Sequence, residues 1–276
     1  MIGTTKRKTG IRWLVVGILV GLLVGILIGF SLLSEPIEKF KIEKERWLPY
    51  PQGLAWDGSY WYFSTSHWGE FNDLYKLDRE GNVILKRGNA IPSFLIKDDY
   101  DHIGDLDYWN GKLYIPIEHK PVLGGLRINA TFAVYDSQLN FTGEWFKTSQ
   151  FHAPWCAIDP ETGYLYSSEW NDVNVLYAYD LENGDKLVKK IHLDKGLSRV
   201  QGGDFYQGYL YLCLDDLHKD ICKIDPKNGK VVGTIPTKIP EEMEGLTLHL
   251  TNLGFIHFVA GHYPVEDAGY LYHLGF

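Results

Sequence analysis

Short runs of alternating apolar and polar residues, separated by turn residues, recur along most of the chain. The clearest example lies between Gln52 and Gly81, where large and small residues alternate with a period of two and β-branched or aromatic types dominate. This pattern is typical of half-buried β-strands. The dipeptide Asp57-Gly58, with an apolar run on each side, predicts a tight hairpin. The stretch therefore predicts three antiparallel strands that end in a turn at residues 78–81.

The same pattern occurs five times in the chain. The copies are spaced by 50, 50, 49 and 41 residues and begin at Gln52, His102, His152, Gln201 and Glu242. A period of about 40–50 residues with several short strands per copy is typical of β-propeller blades. An unrelated β-sandwich with similar hairpins is the alternative, but it does not account for five in-phase copies. The sequence therefore predicts an all-β fold, a five-bladed β-propeller.

The two ends of the repeat array indicate how the ring closes. The fifth copy stops at Phe276 after three strands, whereas the segment Ile37–Trp47 precedes the first copy and has no partner there. Pairing this segment with the last blade would complete the blade and cover an exposed strand edge. We expect a propeller domain over residues 34–276, in which residues 34–50 form the linker and ring-closing strand.

The N-terminal region predicts a membrane anchor. Residues 1–12 form a basic tail without acidic residues, and residues 13–33 contain no charge over 21 positions. That length matches the hydrocarbon core of a bilayer at about 1.5 Å per residue. A cleavable signal peptide is the alternative, but its apolar region would be shorter. Because the basic flank is N-terminal, we expect a single transmembrane helix, a signal anchor in the cell membrane with the propeller outside the cytoplasm.

Glycines recur at every fourth position of this apolar segment. A helix places such residues on one stripe, where the missing side chains let a second backbone approach closely. Glycine is also common in membrane helices in general. The regular spacing favours a homodimer that forms through Gly17, Gly21, Gly25 and Gly29.

Charge restricts the partners of the predicted outer domain. Without the four basic residues of the tail, the chain keeps 23 Lys and Arg against 35 Asp and Glu, a net charge of −12. An acidic domain argues against nucleic acid and against anionic lipid surfaces as partners. It is compatible with the binding of cations. Two sequons, at Asn129 and Asn140, predict glycosylation if the host modifies such sites.

The chain contains three cysteines. Cys213 and Cys222 lie on the two predicted strands that flank one loop, nearly opposite each other. The sequence is therefore compatible either with a disulfide between them or with two free thiols. Cys156 lies in a predicted innermost strand and is interpreted as a buried free thiol.

Polar side chains gather at one face of the predicted ring, which we call the mouth. The first strand of each blade leaves this face and the second strand returns to it, so residues before the first strand and after the second strand lie there together. The candidate metal ligands in these positions are His102, Asp105, Glu118, His152, Asp215 and His262. Further candidates for a ligand pocket are Gln52, His67, His119, Glu169, Gln201, Asp204 and Glu244. The pocket walls could include Trp68, Trp155 and Trp170.

Three interpretations fit this set of side chains. Imidazoles with carboxylates suit zinc, and carboxylates with amide and carbonyl oxygens suit calcium, so a divalent metal is the predicted cofactor. Carboxylates crowded in a pocket could instead act as acid and base. Loops at a polar face also collect polar residues without any ligand. No metal-binding motif with a local spacing is present, so the metal is not identified.

The first and fourth copies resemble the plant-type glutaminyl cyclotransferases, which are five-bladed propellers. The matching residues in the first copy are Gln52-Gly53-Leu54, Asp57-Gly58, Ser64-Thr65, Gly69, Leu77-Asp78 and Gly81. Those in the fourth copy are Asp204-Phe205-Tyr206, Ile224 and Gly229. The resemblance implies a propeller and an enzyme that cyclises an N-terminal glutamine, with carboxylates moving the protons. The acid expected before Ser64-Thr65 is Phe63 here, and the acidic stretch expected at residues 201–204 keeps only its last carboxylate.

These observations lead to two hypotheses about function. In the first, the outer domain binds a divalent metal, a small molecule or a peptide at the mouth, and activity as a hydrolase or a cyclotransferase is left open. In the second, the propeller is a non-catalytic adhesion or scaffold module whose rim binds a protein partner.

Overall fold

The computed structural model describes residues 41–67, 70–122, 127, 129–261 and 268–275. Within this part of the chain, residues Lys41–Gly275 form one compact unit. The predicted tail, the predicted anchor at residues 13–33 with its glycine stripe, and His262 lie outside the described residues. No helix in the described ranges is long and apolar enough to cross a membrane.

The strands are arranged in sequence order around a ring of five antiparallel sheets. The described residues begin with β1 (Lys41–Trp47), and the first blade then contains β2 (Pro51–Trp56), β3 (Trp61–His67), β4 (Phe71–Leu77) and β5 (Val83–Arg87). A short helix, α1 (Ser93–Lys97), leads into the second blade, which contains β6 (Tyr100–Ile103), β7 (Asp107–Trp109), β8 (Lys112–His119), β9 (Ala130–Asp136) and β10 (Phe141–Lys147). The third blade contains β11 (Ala157–Asp159), β12 (Tyr164–Ser167), β13 (Val173–Asp180) and β14 (Lys186–Leu197).

The last two blades follow the same plan. The fourth contains β15 (Val200–Tyr206), β16 (Tyr209–Leu214), β17 (Asp220–Asp225) and β18 (Lys230–Pro236). The fifth contains β19 (Glu242–Leu248), β20 (Ile256–Gly261) and β21 (Gly269–Gly275), with β1 as its outer strand. The predicted five-bladed β-propeller is therefore confirmed.

The ring closes through the N-terminal strand, as predicted. All seven residues of β1 pair antiparallel with β21, from Lys41 opposite Gly275 to Trp47 opposite Gly269. The side chain of Lys44 also forms an ion pair with Glu241, which precedes β19. The fifth blade thus takes three strands from the end of the propeller and one from its beginning.

Aspartates organise the hairpin turns. Asp57 accepts hydrogen bonds from the N–H groups of Ser59 and Tyr60 at 2.8 and 2.7 Å. Asp159 likewise accepts from a backbone N–H in the corresponding turn of blade 3, and Asp136 and Asp225 do so in the outer hairpin turns of blades 2 and 4. The next residue of the first turn, Gly58, adopts a φ of 97°, which favours glycine. The Asp-Gly signal in the sequence therefore reflects turn chemistry.

Clusters of buried side chains fill the spaces between neighbouring blades. Tyr62 and Leu113 belong to the cluster between blades 1 and 2, and Phe132 and Tyr179 to that between blades 2 and 3. Other clusters join blades 3 and 4 and blades 5 and 1. Trp155 is fully buried in the cluster between blades 3 and 4, so it does not form a wall of the mouth.

All three cysteines are free thiols. Cys213 pairs with Ile221, and its neighbour Leu212 pairs with Cys222, so the two cysteine side chains point to opposite faces of the sheet. The Cys213 thiol contacts the carbonyl oxygen of Glu244, while Cys222 belongs to the core between blades 3 and 4. The disulfide that the sequence left open is therefore not formed.

Candidate functional site

The innermost strands of the ring converge on the carboxylate of Asp105. Oδ1 accepts a hydrogen bond from the N–H of Leu54 at 2.9 Å, and Oδ2 accepts from Gly203 at 3.0 Å and from Leu246 at 3.4 Å. These donors belong to blades 1, 4 and 5. The N–H of Asp105 donates to the carbonyl of Pro154 in blade 3 at 2.8 Å. One residue of blade 2 therefore contacts the other four blades.

Burial raises the pKa of Asp105 well above its usual range, although the three N–H donors oppose that effect. Glycines from blades 1, 4 and 5 allow the close approach. A Cβ at Gly53, Gly202 or Gly245 would lie 2.5–2.6 Å from an atom of Asp105. Both oxygens of this predicted metal ligand are thus already engaged by backbone N–H groups.

Three of the predicted mouth residues, His102, Glu118 and His152, meet in a group that we call the His–Glu cluster. Nδ1 of His102 lies 3.2 Å and Nε2 of His152 lies 3.1 Å from Oε2 of Glu118. Glu118 is fully buried, and its Oε1 accepts a hydrogen bond from the N–H of Ala153 at 2.7 Å. The guanidinium Nε of Arg127 lies 3.5 Å from Oε2. The cluster therefore spans blades 2 and 3.

The charges around this cluster favour an ionised glutamate. Burial alone would raise the pKa of Glu118, but the positive charges of His152 and Arg127 help to hold it well below its usual range. For His102, burial lowers the pKa and Arg127 lowers it further, against the opposite effect of Glu118. At neutral pH the carboxylate is charged and the His102 ring is neutral.

Hydrogen bonds fix the tautomer of His102. Nε2 of Gln52 donates to the carbonyl of Pro51 at 2.9 Å, which leaves Oε1 of Gln52 facing Nε2 of His102 at 2.8 Å. Because an amide oxygen can only accept, Nε2 of His102 carries the ring hydrogen and Nδ1 carries a lone pair. That lone pair faces Oε2 of Glu118, and neither atom has a hydrogen-bond partner in the described part of the chain. Two buried acceptors therefore face each other.

Blades 4 and 5 supply a second charged group. Asp215 forms ion pairs with Arg199 and Lys219, and it accepts a hydrogen bond from the N–H of Met243 at 3.0 Å. Arg199 also pairs with Glu242 at 3.1 Å. Asp215 and Glu118 are thus equivalent, because each bonds to the backbone of the next blade and each has cationic partners.

The carboxylates of blade 5 are crowded. Burial raises the pKa of Glu244 well above its usual range, and the charges of Glu242, Asp215 and Asp105 add to the effect. Burial and Asp215 likewise raise the pKa of Glu242. These side chains gain protons at a higher pH than ordinary glutamates do.

Trp170 lies between the two groups. Its ring is perpendicular to that of His152, with the centroids 6.0 Å apart, and the guanidinium carbon of Arg199 lies 5.3 Å from its ring centroid. A series of contacts therefore runs around the mouth from Gln52 in blade 1 to Glu242 in blade 5. Of the predicted wall residues, Trp170 lies at the mouth, and Trp68 lies outside the described residues.

Glu169 positions His152 through the backbone. Its two carboxylate oxygens accept hydrogen bonds from the N–H groups of Phe151, at 3.2 Å, and of His152, at 2.8 Å. Burial raises the pKa of Glu169, and these N–H groups oppose the shift. This predicted pocket residue therefore belongs to the same site.

Asp204 lies away from the mouth. Its Oδ2 accepts hydrogen bonds from the N–H of Leu248 at 2.7 Å and the hydroxyl of Thr247 at 3.0 Å, at the end of β19. Burial raises its pKa to about 6. The mouth is the face at which β19 begins, so this carboxylate joins blades 4 and 5 near the other face.

The remaining predicted residues take separate positions. His67 packs edge-on against the ring of Tyr50, with the centroids 4.0 Å apart. Nδ1 of His119 lies 2.8 Å from the carbonyl of its neighbour Lys120. Gln201 is half-buried in β15, and His262 lies outside the described residues.

The sequence prediction missed the cations of the site and one carboxylate. Arg199 directly precedes β15, and Glu242 begins β19. Both lie next to the start of the first strand of a blade, which is a position that the sequence analysis assigned to the mouth. They would have been found if every polar residue in such positions had been included. Arg127 lies in the long connection between β8 and β9, where no pattern points to the mouth. In the parts of the chain that the structure describes, no group of three or more His, Cys, Asp or Glu could hold a metal ion.

Comparisons with known proteins do not assign a family. No family model matches the chain, and no curated protein matches it significantly. The structure supports the fold that the resemblance to glutaminyl cyclotransferases implied, and the relationship itself stays a prediction.

Proposed function

We propose that the mouth binds a small ligand that places a positive charge or a hydrogen-bond donor between Nδ1 of His102 and Oε2 of Glu118. The observation that carries the proposal is the pair of buried acceptors that face each other at 3.2 Å and have no well-aligned hydrogen-bond donor among the described residues. Nε2 of His152 and Nε of Arg127 lie 3.1 and 3.5 Å from Oε2 of Glu118 but do not meet hydrogen-bond geometry. Buried polar atoms are normally paired, and an unpaired one costs roughly 1–3 kcal/mol. A ligand that supplies the missing donor or cation would recover that free energy.

Two kinds of ligand meet this requirement. A divalent ion would take the imidazole and carboxylate atoms as ligands, and Gln52 would orient the His102 ring as outer-shell partners of metal-bound histidines do. The guanidinium of Arg127, 3.5 Å from the same oxygen, opposes a second cation. A protonated amine of a small molecule or peptide would donate hydrogen bonds to both acceptors without displacing Arg127.

Catalysis is a second candidate, favoured by the spread of pKa values at the mouth. The pKa of Glu118 is lowered and that of Glu244 is raised, and such a difference suits one group to act as base and another as acid. A hydrolase or cyclotransferase would use His152, which Glu118 and Glu169 orient, to move a proton. With the predicted signal anchor, this chemistry would take place outside the cytoplasm.

The Glu118→Gln variant tests the proposal. The new amide keeps an oxygen for the N–H of Ala153 and offers its own N–H to Nδ1 of His102, so the unliganded fold should survive. We expect zinc, calcium, manganese, magnesium or primary amines to raise the melting temperature of the full-length wild type through mass action. The variant should bind the active ligand at least tenfold more weakly. Glu80→Gln, in an exposed turn at the opposite face, is the matched control.

Isothermal titration of the same proteins gives the binding constants. A wild type that responds to none of these ions, to no amine and not to a chelator would contradict the ligand-binding proposal. It would favour the scaffold hypothesis instead. Hydrolysis or cyclisation of peptides with an N-terminal glutamine, lost in Glu118→Gln but not in Glu80→Gln, would support the catalytic candidate.

A further inference from the structure

A second group of histidines lies at the face opposite the mouth, where blades 5 and 1 meet. We call His249, His257 and His273 the latch histidines. The ring of His249 stacks on Trp56 with centroids 4.5 Å apart and 4° between the planes. Trp61 contacts both His249 and His257 edge-on, at 4.5 and 5.3 Å. His257 and His273 are buried within the fifth blade, so the group is enclosed by the two blades that close the ring.

The hydrogen bonds of this group define its protons. Nε2 of His257 lies 2.9 Å from the carbonyl of His249, which can only accept, so this nitrogen carries the hydrogen. Nδ1 of His257 therefore accepts, and Nδ1 of His273, 2.7 Å away, is the donor. It follows that Nε2 of the neutral His273 ring has no hydrogen. The three residues form a series of hydrogen bonds that ends in the lone pair on Nε2 of His273.

That lone pair faces the ring-closing strand. Oε1 of Glu45, in β1, lies 3.9 Å from Nε2 of His273, and Glu43 pairs with His273 in the register of β1 and β21. Nε2 of His273 and both ring nitrogens of His249 are buried and have no hydrogen-bond partner among the described residues. On the side of blade 1, the guanidinium carbon of Arg79 lies 5.8 Å from the ring centroid of Trp56, on which His249 stacks.

We propose that the latch histidines make ring closure sensitive to acid, so that proton uptake by this group releases β1 from β21. A proton that enters the closed group charges a ring that is buried and surrounded by neutral imidazoles. Glu45, which is 48% exposed, and Glu43 compensate for only part of that cost. When β1 separates from β21, His273 becomes hydrated and can carry its charge without this cost.

The direction of the pH dependence follows from the closed structure. Burial lowers the pKa of His249 to about 3 and that of His257 to about 4. Burial also lowers the pKa of His273, although Glu45 and Glu43 act in the opposite direction. A histidine with a lowered pKa in the folded state stabilises that state above its unfolded pKa of about 6.5, and this stability is lost as the pH falls below it. Acid therefore favours the open form.

The size of the effect can be stated for His257 alone. If the opening also lifts β21 from β20 and hydrates His257, the pKa of His257 changes from about 4 in the closed form to about 6.5. The constant for that opening should then rise about thirtyfold between pH 7.5 and pH 5. Protonation of His273 adds to this factor. If acid lowers the hydrogen-exchange protection of β1 and β21 alone, the opening is local and is not an unfolding of the whole propeller.

Hydrogen exchange of the full-length protein, expressed as protection factors at pH 7.5 and pH 5, tests the proposal. We expect protection to fall at least tenfold in β1 and β21 at pH 5, with smaller changes in the other blades.

In His273→Asn, the amide N–H replaces the donor at Nδ1 but does not titrate, so the acid response should shrink. His249→Phe keeps the stacking on Trp56 and removes two unpaired nitrogens, and it should also shrink the response. His192→Asn, at an exposed position in β14, should leave it unchanged.

Glu45→Gln provides the opposite test. Without this carboxylate the charged form of His273 loses its partial compensation and its pKa in the closed form falls further. The loss of protection at pH 5 should therefore be larger than in the wild type, while its onset stays at about pH 6.5, the pKa of the open form. Equal protection of β1 at the two pH values would overturn the proposal. An acid response that persists unchanged in both His249→Phe and His273→Asn would also overturn it.

Discussion

At the scale of single residues, Asp105 shows how the ring is held at its axis. Its carboxylate joins blades 1, 4 and 5, and its backbone joins blade 3. The blades can approach so closely only because glycines face it. The repeated pattern of a polar residue followed by glycine at the start of several copies therefore serves the packing of the axis. In the first copy the polar residue, Gln52, contacts His102 at the mouth.

Glycine-to-alanine substitutions test this packing. In Gly245→Ala, the added methyl group would lie 2.5 Å from Oδ1 of Asp105 and would also meet the backbone of Gly53. We expect a loss of roughly 1–3 kcal/mol in the free energy of unfolding, as for other overpacked cores. In Gly233→Ala, on outer strand β18, the nearest atom would be Cβ of Lys223 at 3.6 Å. Urea denaturation should show little change for this control, and equal losses in both variants would contradict the packing role of Gly245.

The sequence predicted the residues of the site better than their roles. His102, Glu118 and His152 come together because equivalent positions in a propeller point to one face, and the repeat supplies that rule. Asp105 obeys the same rule, yet its oxygens are bound by backbone N–H groups of distant blades, which side-chain patterns do not reveal. Arg127 lies outside the repeat, so only the folded structure brings it to Glu118.

At the scale of elements, strand prediction was most accurate where each blade has four full strands. The innermost strand of blade 2 is divided into β6 and β7, because the backbone of the intervening Asp105 bonds to blade 3 instead of its own sheet. Such a break depends on a neighbouring blade and leaves no local signal. Helix α1 has only five residues, too few to show a helical period.

The ring-closing strand makes the strongest element-level prediction. Replacing Lys41–Arg46 with an equally long Gly-Ser segment removes the side-chain contacts of β1, including the ion pair between Lys44 and Glu241, and weakens the pairing with β21. We expect the melting temperature of the full-length protein to fall by several degrees or more, since each kcal/mol corresponds to roughly 2–4 °C in a domain of this size. Circular dichroism melts measure the change. An unchanged melting temperature would mean that the ring closes without β1.

At the scale of the whole molecule, the number of blades and the way they close were predictable from the sequence because both follow from the repeat. Five copies of one hairpin pattern imply five blades, and the missing outer strand of the last copy implies a strand from elsewhere in the chain. The function does not follow in the same way, since a propeller supports many activities. The proposed ligand binding depends on a few side chains, such as Gln52, whose effect on the His102 tautomer appears only in three dimensions.

The N-terminal segment gives the last prediction, which concerns the assembly of the full chain. If residues 13–33 span the bilayer as a helix, the four glycines that recur every fourth residue lie on one stripe and allow close contact between two copies. Substituting Gly21→Ile and Gly25→Ile together would place branched side chains in that contact. The full-length protein in detergent should then change from dimer to monomer in analytical ultracentrifugation. Leu19→Ile with Leu23→Ile changes the opposite side of the same helix at nearly constant hydrophobicity, so this control should remain dimeric. If both double variants behave like the wild type, the glycines reflect only the composition of membrane helices.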